Sequence, residues 1–512
     1  MNKSEAPREL GLFQVVMIGL GGAIGIEIFV LLNYATSLAG STIVLVLFVC
    51  GIINLLTMLS FCELGAAFPE VGGEYSYAKA AFGGFLAFLT GWLRWISNVF
   101  GAALAALGFA YHFLYFIPAD IIPVDDSLLV ALVAVAMIVV ITVLSIRGTR
   151  QMGAVIVIAF IAVFLVFIAA GILRGLEPRL FYPTTVEESS NFVAAVTYTF
   201  LMFLGMRAIA AGGAVVKEPG KNIPRAIILS AVVLLVLYCG IAYVTTSVVS
   251  LEEIAAPTAL PLSIAAKNIL GEAGAIILTI AGIVAALSSL STAIMVQSSI
   301  TRGLSRDGYL PKFLLSTHKR FKTPHIVIIF GSVFYILFAA TGVVEFVGSV
   351  AAFASLLGFA LVNLSLMKLR VKKPYLQRPF KVPLYPYTPI AGILVSLILL
   401  IFIEPRAFSL GIGFVALGLL AYYLKMVGYH RIRIAFGGMS LGIGGFTALL
   451  AYLVRTGFAL PLALSPQLTT ILFYVLIIVS IISILASIFN IASKGQDVSK
   501  KNVKAPFHKS KL

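Results

Sequence analysis

Charge is scarce in this chain. Asp, Glu, Lys and Arg make up 11% of its 512 residues against 61% hydrophobic ones, and the mean hydropathy is +1.08. That balance excludes a soluble globule and points to a polytopic membrane protein. Cysteine is scarcer: Cys50, Cys62 and Cys239 all lie within or at the ends of apolar runs, which suggests neither a disulfide framework nor a metal cluster. The chain lacks an H-E-x-x-H pair, clustered histidines and a nucleophile elbow, so nothing supports a membrane enzyme. The first apolar segment also lacks a small-residue cleavage pattern, and it reads as a mature span after a short N-terminus, residues 1–11.

Acids are outnumbered, 20 against 36 bases, for a net charge of +16. Such an excess suggests nucleic acid only until its distribution is read. Runs long enough to cross a bilayer core of about 30 Å recur at 12–37, 42–66, 84–116, 127–146, 151–173, 192–216, 225–250, 268–300, 324–343, 345–369, 384–404, 407–427, 433–454 and 467–491. These fourteen spans leave Lys79, Arg147, Arg150, Lys217, Arg302, Arg306, Arg370, Arg378, Arg431 and the basic tail from Lys494 on one side. The other side carries few bases, Arg174 and Arg179 among them, and acids such as Asp120, Asp125, Glu187 and Glu252. The positive-inside rule then puts both termini in the cytoplasm, in a multi-pass protein of the plasma membrane with no nucleic-acid partner. No separate soluble domain is visible.

The stretch Gly19-Leu20-Gly21-Gly22-Ala23-Ile24-Gly25-Ile26-Glu27-Ile28-Phe29 sets four glycines in seven positions, and one acid, inside the first run. That pattern predicts a broken helix. Unwound backbone survives in lipid only under cover of other protein or along a wet cavity, so the break marks a binding site or a close helix contact. Glu27 favours the site, because ionisable residues within membrane segments are costly and usually functional. The run also spells G-x-G-x-x-x-G, but no strand and crossover surround it, and a dinucleotide site is discounted. Glycine and charge interrupt the sixth run too, at Phe203-Leu204-Gly205-Met206-Arg207 and at Gly212-Gly213. Broken helices in corresponding places point to an inverted-repeat transporter, with spans 1 to 5 and 6 to 10 as the repeats.

Four loop motifs follow in order. They are Cys62-Glu63-Leu64-Gly65 with Phe68-Pro69-Glu70-Val71-Gly72-Gly73-Glu74-Tyr75-Ser76-Tyr77, Val216-Lys217-Glu218-Pro219-Gly220-Lys221-Asn222-Ile223-Pro224-Arg225, Ser305-Arg306-Asp307-Gly308-Tyr309-Leu310-Pro311, and Arg378-Pro379-Phe380-Lys381-Val382-Pro383. Together they resemble the amino acid-polyamine-organocation permease superfamily over about residues 10–405, and fourteen spans are similar to its cationic amino acid branch. The resemblance implies an all-α, LeuT-like fold with inverted repeats at about 12–173 and 192–370, followed by about four additional spans over 371–491 and a cytoplasmic tail, 492–512. It implies transport of amino acids or related amines by alternating access. It also implies that N–H groups of Ile26, Glu27 and Ile28, following Gly25 at the positive end of a half-helix, hold a substrate carboxylate.

The chain departs from the superfamily at the site itself. Where the usual pattern is I-G-Ser/Ala-G-I-F, Ile26 and Glu27 replace the small residue and the glycine, and Arg207 replaces an acid in the sixth span. Spans 1 and 6 face each other in that fold, so the swaps are expected to compensate as a buried Glu27–Arg207 ion pair. Arg94, about ten residues into the third span, adds a cation at comparable depth. Two arginines against one glutamate leave a positive charge over, suited to a bidentate substrate carboxylate, while Glu27 suits an ammonium group. The rival reading is a transport-inactive nutrient sensor or assembly partner, its site locked by Glu27 and Arg207. Phe203 and Met206, beside the break, are candidates for gating a hydrophobic substrate.

The fifth run, Gln151 to Leu173, has no lysine or arginine, which removes the lysine that stands in for sodium in some relatives. Ser288, Ser291 and Thr292 in the eighth span are candidate sodium ligands alongside carbonyls of the first. Sodium coupling, proton coupling through Glu27 and pure exchange all stay open, and no cofactor is expected. Glu63 reads as a gate or packing residue, and Trp92, Trp95 and His112 as packing residues.

Overall fold

A computed structural model of the chain describes residues 8–68, 73–117, 126–148, 154–174, 186–250, 253–254, 260–427, 432–455 and 466–492. Residues 69–72 of the first loop motif, the charges Asp120, Asp125, Arg150, Arg179, Glu252 and Arg431, and the basic tail from Lys494 lie outside them.

Every apolar run contains a helix. The first half runs α1 (Leu12–Ala23), α2 (Glu27–Ala39), α3 (Ile43–Ala67), a short α4 (Glu74–Ala81), α5 (Gly84–Leu114), α6 (Asp126–Arg147) and α7 (Ala154–Leu173). Next, α8 (Val186–Thr199) passes through a 3-10 stretch, Phe200–Met206, into α9 (Arg207–Ala211), followed by α10 (Pro219–Val248) and α11 (Pro261–Leu270). The remainder is α12 (Glu272–Arg306), α13 (His325–Ala339), α14 (Val344–Lys372), α15 (Tyr387–Ile401), α16 (Pro405–Val427), α17 (Ile432–Arg455) and α18 (Pro466–Ala492). Among the described residues nine helical segments are long and apolar enough to cross a membrane, five shorter apolar helices accompany them, and no strand is present beyond one isolated bridge, Leu10 to Val216. The protein is all-helical and polytopic.

Both expected breaks are present. α1 ends where Ile24, at φ −77° and ψ 73°, leaves the helical path, and the chain re-enters it at Ile26. Glycine makes that interruption cheap, since each one is about 1 kcal/mol worse than alanine in a helix interior. At the second break the chain tightens to 3-10 geometry over Phe200–Met206 before α9 begins at Arg207. The two breaks cross backbone to backbone: a Cβ on Gly205 would overlap the backbone of Gly22 and Ala23, and one on Gly22 would lie 3.0 Å from the Gly205 carbonyl oxygen. Helix interruptions leave carbonyls without intrahelical donors, and in a membrane other protein groups must satisfy them. Tyr238 on α10 bridges the two breaks, its single hydroxyl proton shared between Ala23 O at 2.6 Å, which also accepts the Gly25 N–H at 2.9 Å, and Met202 O at 3.2 Å.

The loops rich in bases meet at one end of the bundle. Glu63, fully buried at the end of α3, accepts hydrogen bonds from Arg370 at 2.9 and 2.5 Å and from the Val382 N–H at 2.7 Å, and pairs with Arg378 at 3.2 Å. It is an ion-paired clamp between α3, α14 and the following loop, a stronger role than packing alone. Lys79 lies 2.7 Å from the Asp307 carboxylate, which also accepts from the Tyr75 hydroxyl, and Lys425 donates to the Asp307 carbonyl at 2.7 Å. Those contacts tie α4, α12 and α16 together at the same end.

Candidate functional site

A cavity of about 110 Å³ opens at the crossing of the two breaks. Its wall includes Gly22, Glu27, Arg94, Leu204, Gly205 and Arg207. Glu27 sits in the first turn of α2, where the helix dipole favours a negative charge. Its carboxylate lies over Gly25, where an added Cβ would displace Glu27 Oε2 and Ser289 Oγ. Oε2 of Glu27 is buried without a hydrogen-bond partner.

Arg94 on α5 and Arg207 on α9 converge on a third residue, Glu74. Its Oε1 lies 3.6 Å from Arg207 Nη1 and 3.9 Å from Arg94 Nε, within ion-pair range but beyond hydrogen bonding. Arg207 Nη2 is 3.1 Å from Ser97 Oγ, which in turn lies 2.7 Å from Ser355 Oγ. Glu74 reaches the cluster because α4 packs beneath α9: the Tyr77 hydroxyl donates to Ala210 O at 3.4 Å, and a Cβ on Gly73 would touch Ala211. Arg94 Nη1 and Arg207 Nε are buried with no partner. Unfilled charged donors in a buried site each cost roughly 1–3 kcal/mol or more, so the cluster is built to accept a further anionic oxygen.

The expected Glu27–Arg207 ion pair does not form. Arg207 has Glu74 as its carboxylate partner, while Glu27 is accommodated by the start of its own helix. Glu74 also corrects the charge count, giving two arginines against two glutamates, and the missing counter-charge was the signal that could have found it. Ile26 and Ile28 are fully buried in the core, and the Ile26 N–H faces Ser289 Oγ at 3.3 Å. Phe203 and Met206 turn away from the cavity, Phe203 packing edge-on against Tyr238, while Leu201 and Leu204 supply its apolar wall. On α12, Ser289 and Thr292 face the site, whereas Ser291 lines a different cavity and Ser288 lines neither. Trp92 stacks on Trp95 and donates to Phe414 O, and His112 Nδ1 lies 2.8 Å from Gly108 O, both as packing residues.

A charged cavity between two crossed, broken helices has the form suited to a small polar solute within a membrane protein. Residues 10–424 match the family described as amino acid permease. The chain belongs to that family. This permease is 26% identical over 441 residues to the branched-chain amino acid permease BcaP of Bacillus subtilis, covering 81% of this chain and 92% of that one. It is 27% identical over 436 residues to the methylthioribose transporter of Bacillus subtilis, covering 81% and 93%. It is also 28% identical over 441 residues to the large neutral amino acids transporter small subunit 2 of Mus musculus, covering 83% and 82%. These relatives are transporters rather than enzymes, and the permease resembles them over most of its length.

Proposed function

We propose that this permease is a secondary transporter of a small carboxylate-bearing solute, an amino acid or a related organic amine, working by alternating access. The observation that carries the reading is the pair of buried guanidiniums, Arg94 and Arg207, with donors left unfilled beside Glu74. A substrate carboxylate takes those donors in the planar geometry that arginine offers and lysine does not. Glu27, which lines the same cavity, receives the ammonium end. The methylthioribose transporter among its relatives argues for testing solutes beyond amino acids.

The same reading includes fourteen spans, inverted repeats at about 12–173 and 192–370, and placement in the plasma membrane with both termini cytoplasmic. Gathering of the bases at one end of the bundle supports that orientation. On it, α4 and Glu74 close the site from the cytoplasmic side. A substrate carboxylate that displaces Glu74 from the arginines loosens that closure, which links binding to opening. The locked, transport-inactive reading depended on a Glu27–Arg207 pair, and no observation favours it.

The test is uptake of labelled amino acids and amines into vesicles reconstituted with the purified permease. Imposed sodium gradient, imposed proton gradient and preloaded substrate distinguish sodium coupling, proton coupling and exchange. Accumulation that Arg207→Gln abolishes supports the reading, and the absence of flux for every solute under all three conditions overturns it.

A further inference from the structure

A second and larger cavity, about 350 Å³, lies away from the substrate site between the basic end of α6, the last turns of α12 and the start of α13. Its wall includes the buried apolar residues Ile294 and Ile328 and the two bases Arg302 and Arg306. Neither arginine has an acidic partner among the described residues, and no acid lines the cavity. Two polar atoms at the cavity are buried with no hydrogen-bond partner: Ser298 Oγ, on a side chain more than nine-tenths buried, and Arg302 Nε. Such groups are normally satisfied, so they call for an outside acceptor.

The surroundings identify what kind of molecule supplies it. Leu144, Met295 and Ile329, on the three helices that frame the cavity, are exposed at 38, 49 and 47%, and these surfaces meet hydrocarbon in a membrane protein. An occupant must therefore join an anionic head to apolar chains. We propose that this cavity binds an anionic phospholipid from the leaflet on the basic side. Its phosphate sits between Arg302 and Arg306, with Ser298 donating deeper in, and its acyl chains lie along the exposed faces of α6, α12 and α13. Basic pockets between transmembrane helices on the cytoplasmic side are suited to such headgroups. Because α12 also carries Ser289 and Thr292 at the substrate site, an occupied cavity braces the helix that forms one wall of that site. The inference rests on the chain being in a bilayer and not on which solute it carries.

The experiment compares thermal unfolding of the full-length permease in detergent with added phosphatidylglycerol and with phosphatidylcholine of identical acyl chains. Glycerol phosphate and a free fatty acid serve as probes for head and tail alone. The expected result is a rise in Tm with phosphatidylglycerol that neither phosphatidylcholine nor either fragment reproduces. In Arg302→Gln/Arg306→Gln the apparent affinity for phosphatidylglycerol falls on the order of 10- to 30-fold, from about 1 kcal/mol per basic residue at a membrane surface. Arg302→Lys/Arg306→Lys, which keeps the charge, retains most of the effect, and Ser298→Phe, which fills the cavity, loses it. An equal response to the two phospholipids, or a phosphatidylglycerol response unchanged in both Arg302→Gln/Arg306→Gln and Ser298→Phe, overturns the proposal. Glycerol phosphate acting as well as phosphatidylglycerol also overturns it and assigns a soluble phosphate site instead.

Discussion

Oε1 of Glu74 lies 3.6 Å from Nη1 of Arg207, which ties the loop helix α4 to the broken sixth span through charge. The same carboxylate faces Arg94 at 3.9 Å, so one acid is shared between two buried bases. On the proposed reading an incoming carboxylate takes the free donors beside these contacts, Arg94 Nη1 and Arg207 Nε, and draws the two guanidiniums away from Glu74.

Glu74→Gln removes the balancing acid and strands both arginines. Breaking a well-formed buried pair costs about 3–5 kcal/mol, and the lower end applies here because the pair is long. The unliganded variant is expected to unfold at a lower temperature, and a carboxylate ligand is expected to raise its Tm more than that of the wild type. Thermal unfolding with and without ligand measures both. Equal ligand shifts would show that Glu74 does not compete. In a double-mutant cycle with Arg207→Gln, a coupling of about 1–3 kcal/mol is expected.

Gly205→Ala puts a methyl group into the backbone of the first span. Overpacking a core usually costs about 1–3 kcal/mol, and a clash with backbone on both sides cannot be relieved by a rotamer change. Gly205→Ala should therefore lower folded yield and Tm more than Gly22→Ala, whose added Cβ meets a single carbonyl at 3.0 Å. Comparable behaviour of the two variants would argue against the backbone crossing.

Tyr238→Phe leaves the Ala23 and Met202 carbonyls without their shared donor. Ala23 O keeps the Gly25 N–H, so the loss is that of one buried hydrogen bond, about 0.5–1.5 kcal/mol, and a Tm fall of that size is expected even though the ring remains. A Tm within error of wild type would show that another group satisfies the two breaks.

Asp307 offers a pH test at the basic end. Burial pushes its carboxyl up, but hydrogen bonds from Lys79 and Tyr75 outweigh this and hold it below its ordinary value of 3.8. A depressed acid contributes stability that is fully present above its unfolded-state value and is lost as the pH falls through its folded-state value. The Tm difference between wild type and Asp307→Asn should stay constant from about pH 7 to 5 and shrink below about pH 4. A difference that narrows above pH 5 would contradict this.

Much of the helix pattern was legible from hydropathy, and both breaks were legible because glycine clusters stand out within apolar runs. Glu27, Arg94 and Arg207 were also readable as cavity residues, since idle charge is costly in a membrane. The partner of Arg207 was not, because ion pairing is a tertiary choice and Glu74 lies in a loop helix far along the sequence. The gate residues were misplaced for a helical reason: a 3-10 turn of three residues puts Leu201 and Leu204 on one face and Phe203 and Met206 on another. On α12 a shift of one residue turns a side chain by about 100°, which separates Ser288 from Ser289.

The role proposed for Arg94 and Arg207 is to hold a substrate carboxylate. Its most direct test compares, in the reconstituted permease, inhibition of labelled amino acid uptake by the same amino acid and by its carboxamide. Strong competition by the amino acid, little by the carboxamide, and no uptake in Arg207→Gln are the expected results. Equal inhibition by acid and amide, with uptake surviving in Arg207→Gln, would contradict it.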